Sequence, residues 1–239
     1  MFKFVKAFFK GLYKILFAYP KIRKYAKNKD KYPIEERYAF ARKLINILMK
    51  SFDVKLKVEG FEKIDMEDAF MIVCNHQGVM DALTMVYLFD KPLACVSKIE
   101  ARKYPIVGKV VYFIDSIFID RENVRDAVKM VKTCKEYLNS GRSVVIFPEG
   151  TRTKDENYMP GEYKAGAFKP SYETKKKTVV MAIDGGYKVF SKKYKGKLNI
   201  NVKVLEVIEP GVYDNKNTTE IAKFVEEKTS EALIEMRKQ

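Results

Sequence analysis

The feature that most constrains this chain is a set of short, continuously apolar runs that stop abruptly at polar residues. They read AFMIVCN up to Asn75, SVVIF up to Phe147 and TVVMAI up to Ile183. Runs this short, with no polar alternation, suit strands buried on both faces of a sheet. VKLKVEG, with Val54 and Val58, alternates instead, and LNINVKVLEVI alternates in its first half, which places it nearer a sheet edge. The run VVYFIDSIFID is expected to hold one or two further strands. Helical spacing separates these runs over Glu35–Met49, Asp81–Phe89 and Val124–Leu138, the last ended by Asn139-Ser140-Gly141. A final helix from Thr218 or Thr219 presents Ile221, Phe224, Val225, Ala232, Leu233 and Met236 to cover the sheet. Strands alternating with helices predict an α/β domain around a largely parallel or mixed central sheet flanked by helices. The 47% apolar content supports a real core.

The N-terminus is a different kind of segment. Taken as a helix, its first 17 residues align Lys3, Lys6, Lys10 and Lys14 on one narrow stripe. Phe2, Phe4, Val5, Phe8, Phe9, Leu12, Ile15 and Leu16 cover the rest. That is the pattern of a helix lying in a membrane interface, its lysines reaching anionic headgroups. The alternative is a helix packed on the protein's own body. Pro20 is expected to end or bend it. No acidic residue precedes Asp30, and no apolar run is long enough to span a bilayer as a helix. No signal-peptide cleavage pattern is evident. Residues 1–49 are read as an amphipathic two-helix membrane-associating element and 50–239 as the α/β domain. The formal charge of +15 favours an anionic partner. The lysine-rich stretches Tyr172–Lys177 and Tyr187–Lys197 are read as solvated loops. Cys74, Cys95 and Cys134 lie far apart among apolar residues, as free thiols in a reducing compartment do.

His76 is the sole histidine. It follows a buried strand, and strand C-terminal ends are where α/β domains gather active-site groups. Asp81 stands five residues on, within reach across a turn. It can accept the proton of one ring nitrogen, which fixes the tautomer and leaves the other nitrogen as a base. Its alternative is an N-cap. One histidine excludes a zinc site of HExxH type, and there is no GxSxG elbow, GxGxxG or phosphate loop. A base acting directly on a substrate hydroxyl is the simplest chemistry left. A second cluster is FPEGTR, Phe147–Arg152. Arg152 offers forked donors suited to phosphate, Gly150 allows close approach and an anion-binding nest, and Thr151 adds a hydroxyl. Glu149 either orients an arginine or accepts from a substrate hydroxyl. The alternative is a plain turn with a surface ion pair. IFIDR, Ile117–Arg121, sets Arg121 just past another apolar strand, in reach of the same anion.

Together these runs resemble the glycerolipid acyltransferase family, the 1-acylglycerol-3-phosphate acyltransferases in particular. The family's His-x4-Asp block stands as His76-Gln77-Gly78-Val79-Met80-Asp81. Its Ile/Phe-rich block ending in arginine stands as Ile117–Arg121, and Phe-Pro-Glu-Gly-Thr-Arg is unchanged at Phe147–Arg152. The resemblance covers roughly Val58–Ile208. Two departures concern pocket-shaping positions: Val179-Val180-Met181-Ala182-Ile183 lacks the fourth block's proline, and Ser116 stands where a glycine is common.

The resemblance implies acyl transfer from an acyl thioester, on acyl carrier protein or coenzyme A, to the sn-2 hydroxyl of 1-acyl-sn-glycerol 3-phosphate. The product would be phosphatidic acid. His76 would be the base and Asp81 its orienting partner. Arg121, Glu149, Gly150, Thr151 and Arg152 would form the phosphate site, with backbone N–H groups near the histidine or the glycine turn at the oxyanion. No metal or bound cofactor is implied. Expected partners are lysophosphatidic acid, the thioester donor and anionic lipid at the cytoplasmic face of the cell membrane. A different lysolipid acceptor is the nearest alternative. A non-enzymatic basic module for membrane or nucleic acid is the distant one, and no nucleic-acid-binding signature supports it.

Overall fold

The computed structural model describes residues 2–190, 194 and 196–238, and only the backbone of Phe2, Lys3, Phe190 and Tyr213. Seven strands form one sheet: β1 Val54–Glu59, β2 Met71–Cys74, β3 Leu93–Lys98, β4 Ile117–Ile119, β5 Ser143–Ile146, β6 Thr178–Asp184 and β7 Leu198–Ile208. Their spatial order is β1-β7-β6-β2-β5-β3-β4. From β6 to β4 every pair is parallel, β6 and β7 are antiparallel, and β1 is parallel to β7. The expected α/β fold with a mixed, largely parallel sheet is what forms. The long strand β7 lies one place in from the edge, covered there by β1.

Alternate residues of the apolar runs feed two cores, as strand pleating requires. Ile72, Cys74, Val145, Met181 and Ile183 face one side, where α1 Phe2–Lys27, α2 Ile34–Ser51 and α3 Val79–Leu88 pack. Met71, Val73, Val144, Ile146 and Val180 face the other, under α5 Val124–Asn139 and α7 Thr218–Lys238. In α7, Ile221, Val225, Ala232, Leu233 and Met236 are buried as expected, but Phe224 stays exposed.

The N-terminal helix packs on the protein's own body and still leaves one apolar side uncovered. Ala7, Ile15, Ile22 and Tyr25 are buried in the same core as the sheet. At Gly11 an added Cβ would lie 3.2 Å from Ser51 Oγ and 3.3 Å from Leu48, so the absent side chain sets how closely α1 approaches α2. The other side leaves Phe8, Phe9, Tyr13, Leu16 and Phe17 in solvent, beside exposed Lys6, Lys10 and Lys14. The parts of the stripe carried by Phe2 and Lys3 lie outside the described side chains. Pro20 does not end the helix, which runs on to Lys27. It sits on the exposed side, and the next turn is held by buried Ile22 and by Tyr25, whose hydroxyl donates to Glu36. Among the described residues no helix is long and apolar enough to cross a membrane.

VVYFIDSIFID holds one strand, Ile117–Ile119, as expected, and its first part belongs to α4, Val107–Phe113. Leu93–Lys98 and α6, Lys169–Thr174, are elements the sequence reading passed over, so the Tyr172–Lys177 stretch begins inside a helix. Tyr187–Lys197 is not wholly solvated, since Val189 and Tyr194 are buried and Tyr194 donates to Phe52 O at 2.9 Å. Residues 191–193 and 195 of that stretch lie outside the described residues.

Candidate active site

Because β2, β3, β4, β5 and β6 are parallel, their C-terminal ends open at one end of the sheet, the usual site of ligand crevices in such folds. His76, Arg121, the Phe147–Arg152 turn and Asp184 all emerge there. Asn75 makes the transition. Its side-chain amide donates to Ile183 O at 2.9 Å and its carbonyl accepts from Ile183 N at 2.8 Å, continuing the β2–β6 pairing after the strand has ended.

His76 Nδ1 lies 2.9 Å from Asp81 Oδ2. A carboxylate only accepts, so Nδ1 carries the proton and Nε2 keeps its lone pair. The imidazole stacks on Phe147 with centroids 4.3 Å apart. Asp81 is fully buried. The same Oδ2 also accepts from Gln77 N at 2.6 Å and Gly78 N at 2.7 Å. Gly78 is the N-cap of α3 and Asp81 its third residue, so one carboxylate caps the helix and orients the histidine. Asp81 is thus not the N-cap itself, which is Gly78; it meets the cap from the third helical position while holding the histidine.

Both carboxylate oxygens of Glu149 are engaged within the protein. Its oxygens accept from His76 N at 2.7 Å and Gly161 N at 3.0 Å, and it is buried. It is a strut between the histidine loop and the 161 segment, which corrects its assignment to the phosphate site. Burial, against the pull of those two N–H groups, pushes its carboxyl up to about 7. Gly150 has φ +70°, and its N–H donates to Phe147 O at 3.0 Å. The amide is therefore spent in the turn, not offered to an anion. What Gly150 provides is room: a Cβ there would lie 3.0 Å from Lys164 Nζ. The amides of residues 76, 77, 78 and 150 are all engaged, so none of these is a free oxyanion donor.

Arg121 and Arg152 do converge. Burial lowers the pKa of Arg121, and the nearby Arg152 guanidinium lowers it further against the pull of Glu100. Among the described residues neither arginine has a carboxylate within 4.0 Å, although the chain makes many other ion pairs. Two guanidiniums near enough to feel each other, with the Lys164 ammonium against the Gly150 turn, concentrate positive charge suited to a multiply charged anion. Thr151 is exposed at the tip.

Sequence reading missed a second layer. Gln77 Nε2 donates to Asp184 Oδ1 and to Tyr158 O, both at 3.0 Å, and its carbonyl accepts from Gly185 N at 3.2 Å. Arg237, at the end of α7, grips the same Asp184 oxygen with Nε at 3.0 Å and Nη2 at 2.7 Å. Gly186 lies against Asp81 itself. Sequence separations of 53 and 107 residues hid these contacts. Ser116, at the glycine position, accepts from Cys95 N at 3.1 Å and ties β3 to the start of β4.

The model of the family described as Acyltransferase matches residues 55–184. A probable 1-acyl-sn-glycerol-3-phosphate acyltransferase of Mycoplasma pneumoniae is 29% identical over 161 residues, 65% of this chain and 59% of that protein. The Helicobacter pylori protein named 1-acyl-sn-glycerol-3-phosphate acyltransferase is 34% identical, over 56% of this chain and 57% of its own length. The chain thus spans little more than half the length of these curated relatives. In Borreliella burgdorferi a protein of that name is 27% identical over 77% of this chain and 75% of its own. The crystal structure of a 1-acyl-sn-glycerophosphate (LPA) acyltransferase, PlsC, from Thermotoga maritima superposes with a TM-score of 0.74 at 22% identity, covering 100% of this chain and 96% of that one. At that identity the likeness speaks for the fold, its two N-terminal helices included.

Proposed function

We propose, from the premise that this chain belongs to the acyltransferase family, that it moves a fatty acyl group from a thioester to the sn-2 hydroxyl of 1-acyl-sn-glycerol 3-phosphate. One juxtaposition carries the reading. The His76–Asp81 pair, at 2.9 Å, and the unneutralised pair Arg121 and Arg152 open at the same end of the sheet. A base and a phosphate clamp are what an acceptor bearing a hydroxyl close to a phosphate requires.

In the reaction, Arg121 and Arg152, with Lys164 beside them, hold the acceptor phosphate. His76 Nε2 takes the proton of the hydroxyl as that oxygen attacks the thioester carbonyl carbon. The C–S bond breaks as the tetrahedral adduct collapses, and the departing thiolate recovers the proton from the imidazolium. Asp81 holds the tautomer and stabilises the transient positive charge. Glu149 and Gln77 position the loop without touching substrate. No cofactor is needed, and acyl carrier protein and coenzyme A both present the same kind of thioester. The exposed aromatic side of α1 would seat in the membrane interface, with Lys6, Lys10 and Lys14 at anionic headgroups.

The test is acyl transfer by purified protein to lysophosphatidate, with the two thioesters offered separately. His76→Ala is expected to abolish product while vesicle binding survives. Near-normal turnover by that folded variant would sink the mechanism. A kinetic preference for another lysolipid would reassign the acceptor.

A further inference from the structure

A groove of about 460 Å³ runs along α5, on the sheet face opposite α1 and α2. Its volume is in the range of pockets that hold whole small ligands. The bed is apolar: Val96, Ile119, Ala127, Val131 and Ile146 line it. Val124 and Val128 border it one helical turn apart and stand 79% and 66% exposed, although branched aliphatics usually find cover. The walls continue into the site described above, for Arg121, Phe147, Gly150 and Lys164 line the groove as well. Arg121 lies at the N-terminal end of α5. Lys135, ion-paired with Glu173 of α6, lines it further along the helix. From Val124 to Lys135 is eleven residues, a run of roughly 16 Å at helical rise.

We infer that this groove binds the acyl chain of the lysophospholipid acceptor, with the acceptor's phosphate on Arg121, Arg152 and Lys164. The inference deepens the activity proposed above and takes the identity of the headgroup from it. The bed side chains Val96, Ile119, Ala127, Val131 and Ile146 offer no hydrogen-bond partner, so a pantetheine arm laid on them would leave amide groups unpaired there. A hydrocarbon chain has none to satisfy. The end bearing Arg121 and Lys164 is cationic, and Lys132 and Lys169 flank the rest, which fits an anionic amphiphile. Connectivity decides between the two chains in the reaction. In the acceptor, the phosphate, the hydroxyl and the acyl ester sit on three neighbouring glycerol carbons, so its chain starts within a few bonds of its phosphate. In a thioester donor the whole pantetheine arm separates the phosphate from the acyl carbonyl. A greasy channel that begins at the phosphate-binding arginines therefore belongs to the acceptor.

The experiment is calorimetric binding of monomeric hexanoyl, octanoyl and decanoyl lysophosphatidates to the full chain without donor. Each added methylene is expected to tighten binding about fourfold. Val128→Asp sets a charge on an exposed groove wall and leaves the core alone, and Ala127→Trp fills the bed. Both are expected to flatten the chain-length dependence, whereas Arg121→Ala weakens all three homologues by a common factor. Transfer rates with donors of varied chain length, on the same proteins, are expected to keep their dependence in Val128→Asp. The inference is overturned by absent binding, by binding indifferent to chain length, or by a dependence that both groove variants leave intact. Loss of the donor's dependence instead of the acceptor's also overturns it, by giving the groove to the donor. Intact binding behaviour with no acyl transfer would remove the activity proposed above and leave the groove an anionic-lysolipid site.

Discussion

Gly186→Ala measures how tightly the Asp81 carboxylate, the proposed partner of His76, is held. Gly186 opens the 3₁₀ turn Gly186–Phe190 and lies directly against α3. Its φ is not in the left-handed region, so an alanine there meets a purely steric obstacle. The added Cβ would stand 2.6 Å from Asp81 Oδ1 and 3.3 Å from Met80 Cβ. To recover an ordinary contact of 3.4 Å from 2.6 Å, Oδ1 must retreat by about 0.8 Å, the difference of the two. Oδ1 has no hydrogen bond to resist this, but Oδ2 is fixed by His76, Gln77 and Gly78. The carboxylate can move only by stretching those bonds. A displacement near 1 Å at a catalytic group costs about a hundredfold in rate, or about 2.7 kcal/mol at the barrier. The overpacking itself costs about 1–3 kcal/mol of stability. Steady-state acyl transfer, paired with urea unfolding, reads both. We expect kcat to fall about a hundredfold with KM for the acceptor little changed. A folded Gly186→Ala protein with the parent kcat would refute the reasoning.

Three shorter predictions follow from other contacts. The folded Glu149 carboxyl titrates at about 7 against 4.5 for an ordinary one. The unfolded chain therefore ionises first, and Glu149 erodes stability as pH rises from about 4.5 to about 7, by up to about 3 kcal/mol in all. Unfolding free energies across that window should show the slope in the parent and lack it in Glu149→Gln; a constant difference between the two proteins would disprove it. Phe9→Asp combined with Phe17→Asp should weaken binding to anionic vesicles by at least about a hundredfold, since each ring gains roughly 1.5–3 kcal/mol on burial. Unchanged co-sedimentation would return α1 to a purely packing role. Arg237→Ala should lower kcat several-fold at constant KM by loosening Asp184 and Gln77, with Arg237→Lys partly restoring it; a loss confined to thermal stability would make the contact structural only.

What the sequence made legible follows from range. MIVC, SVVI and TVVMAI are apolar without interruption, and each became a strand buried on both faces. LACVSK escaped because its apolar run is short and ends in Ser97 and Lys98, with only Leu93, Ala94 and Cys95 buried. The VVYF at the head of VVYFIDSIFID left room for a second strand because valine and aromatics dominate it. It is helical because α1 packs on it, and because Gly108 sits where a Cβ would lie 2.6 Å from Arg102 O. His76, Asp81 and the two arginines were visible as local motifs at strand ends. The hydrogen bonds of Glu149 and the packing of Gly150 were not legible, since they depend on partners such as Gly161 and Lys164 that only the folded chain brings to the turn.

The packing of α1 has a thermodynamic consequence. Ala7, Ile15, Ile22 and Tyr25 share one core with the strands, so the helix does not hang from the fold as an independent tail. Whatever surface holds its aromatic side favours the folded chain over the unfolded one by mass action, by about 2.7 kcal/mol when that surface is present at a hundred times its dissociation constant. By the same linkage, a substitution that loosens the sheet loosens the grip on lipid. If that surface is the bilayer proposed above, it acts as a folding ligand, and the stability of this protein becomes a property of the membrane that holds it.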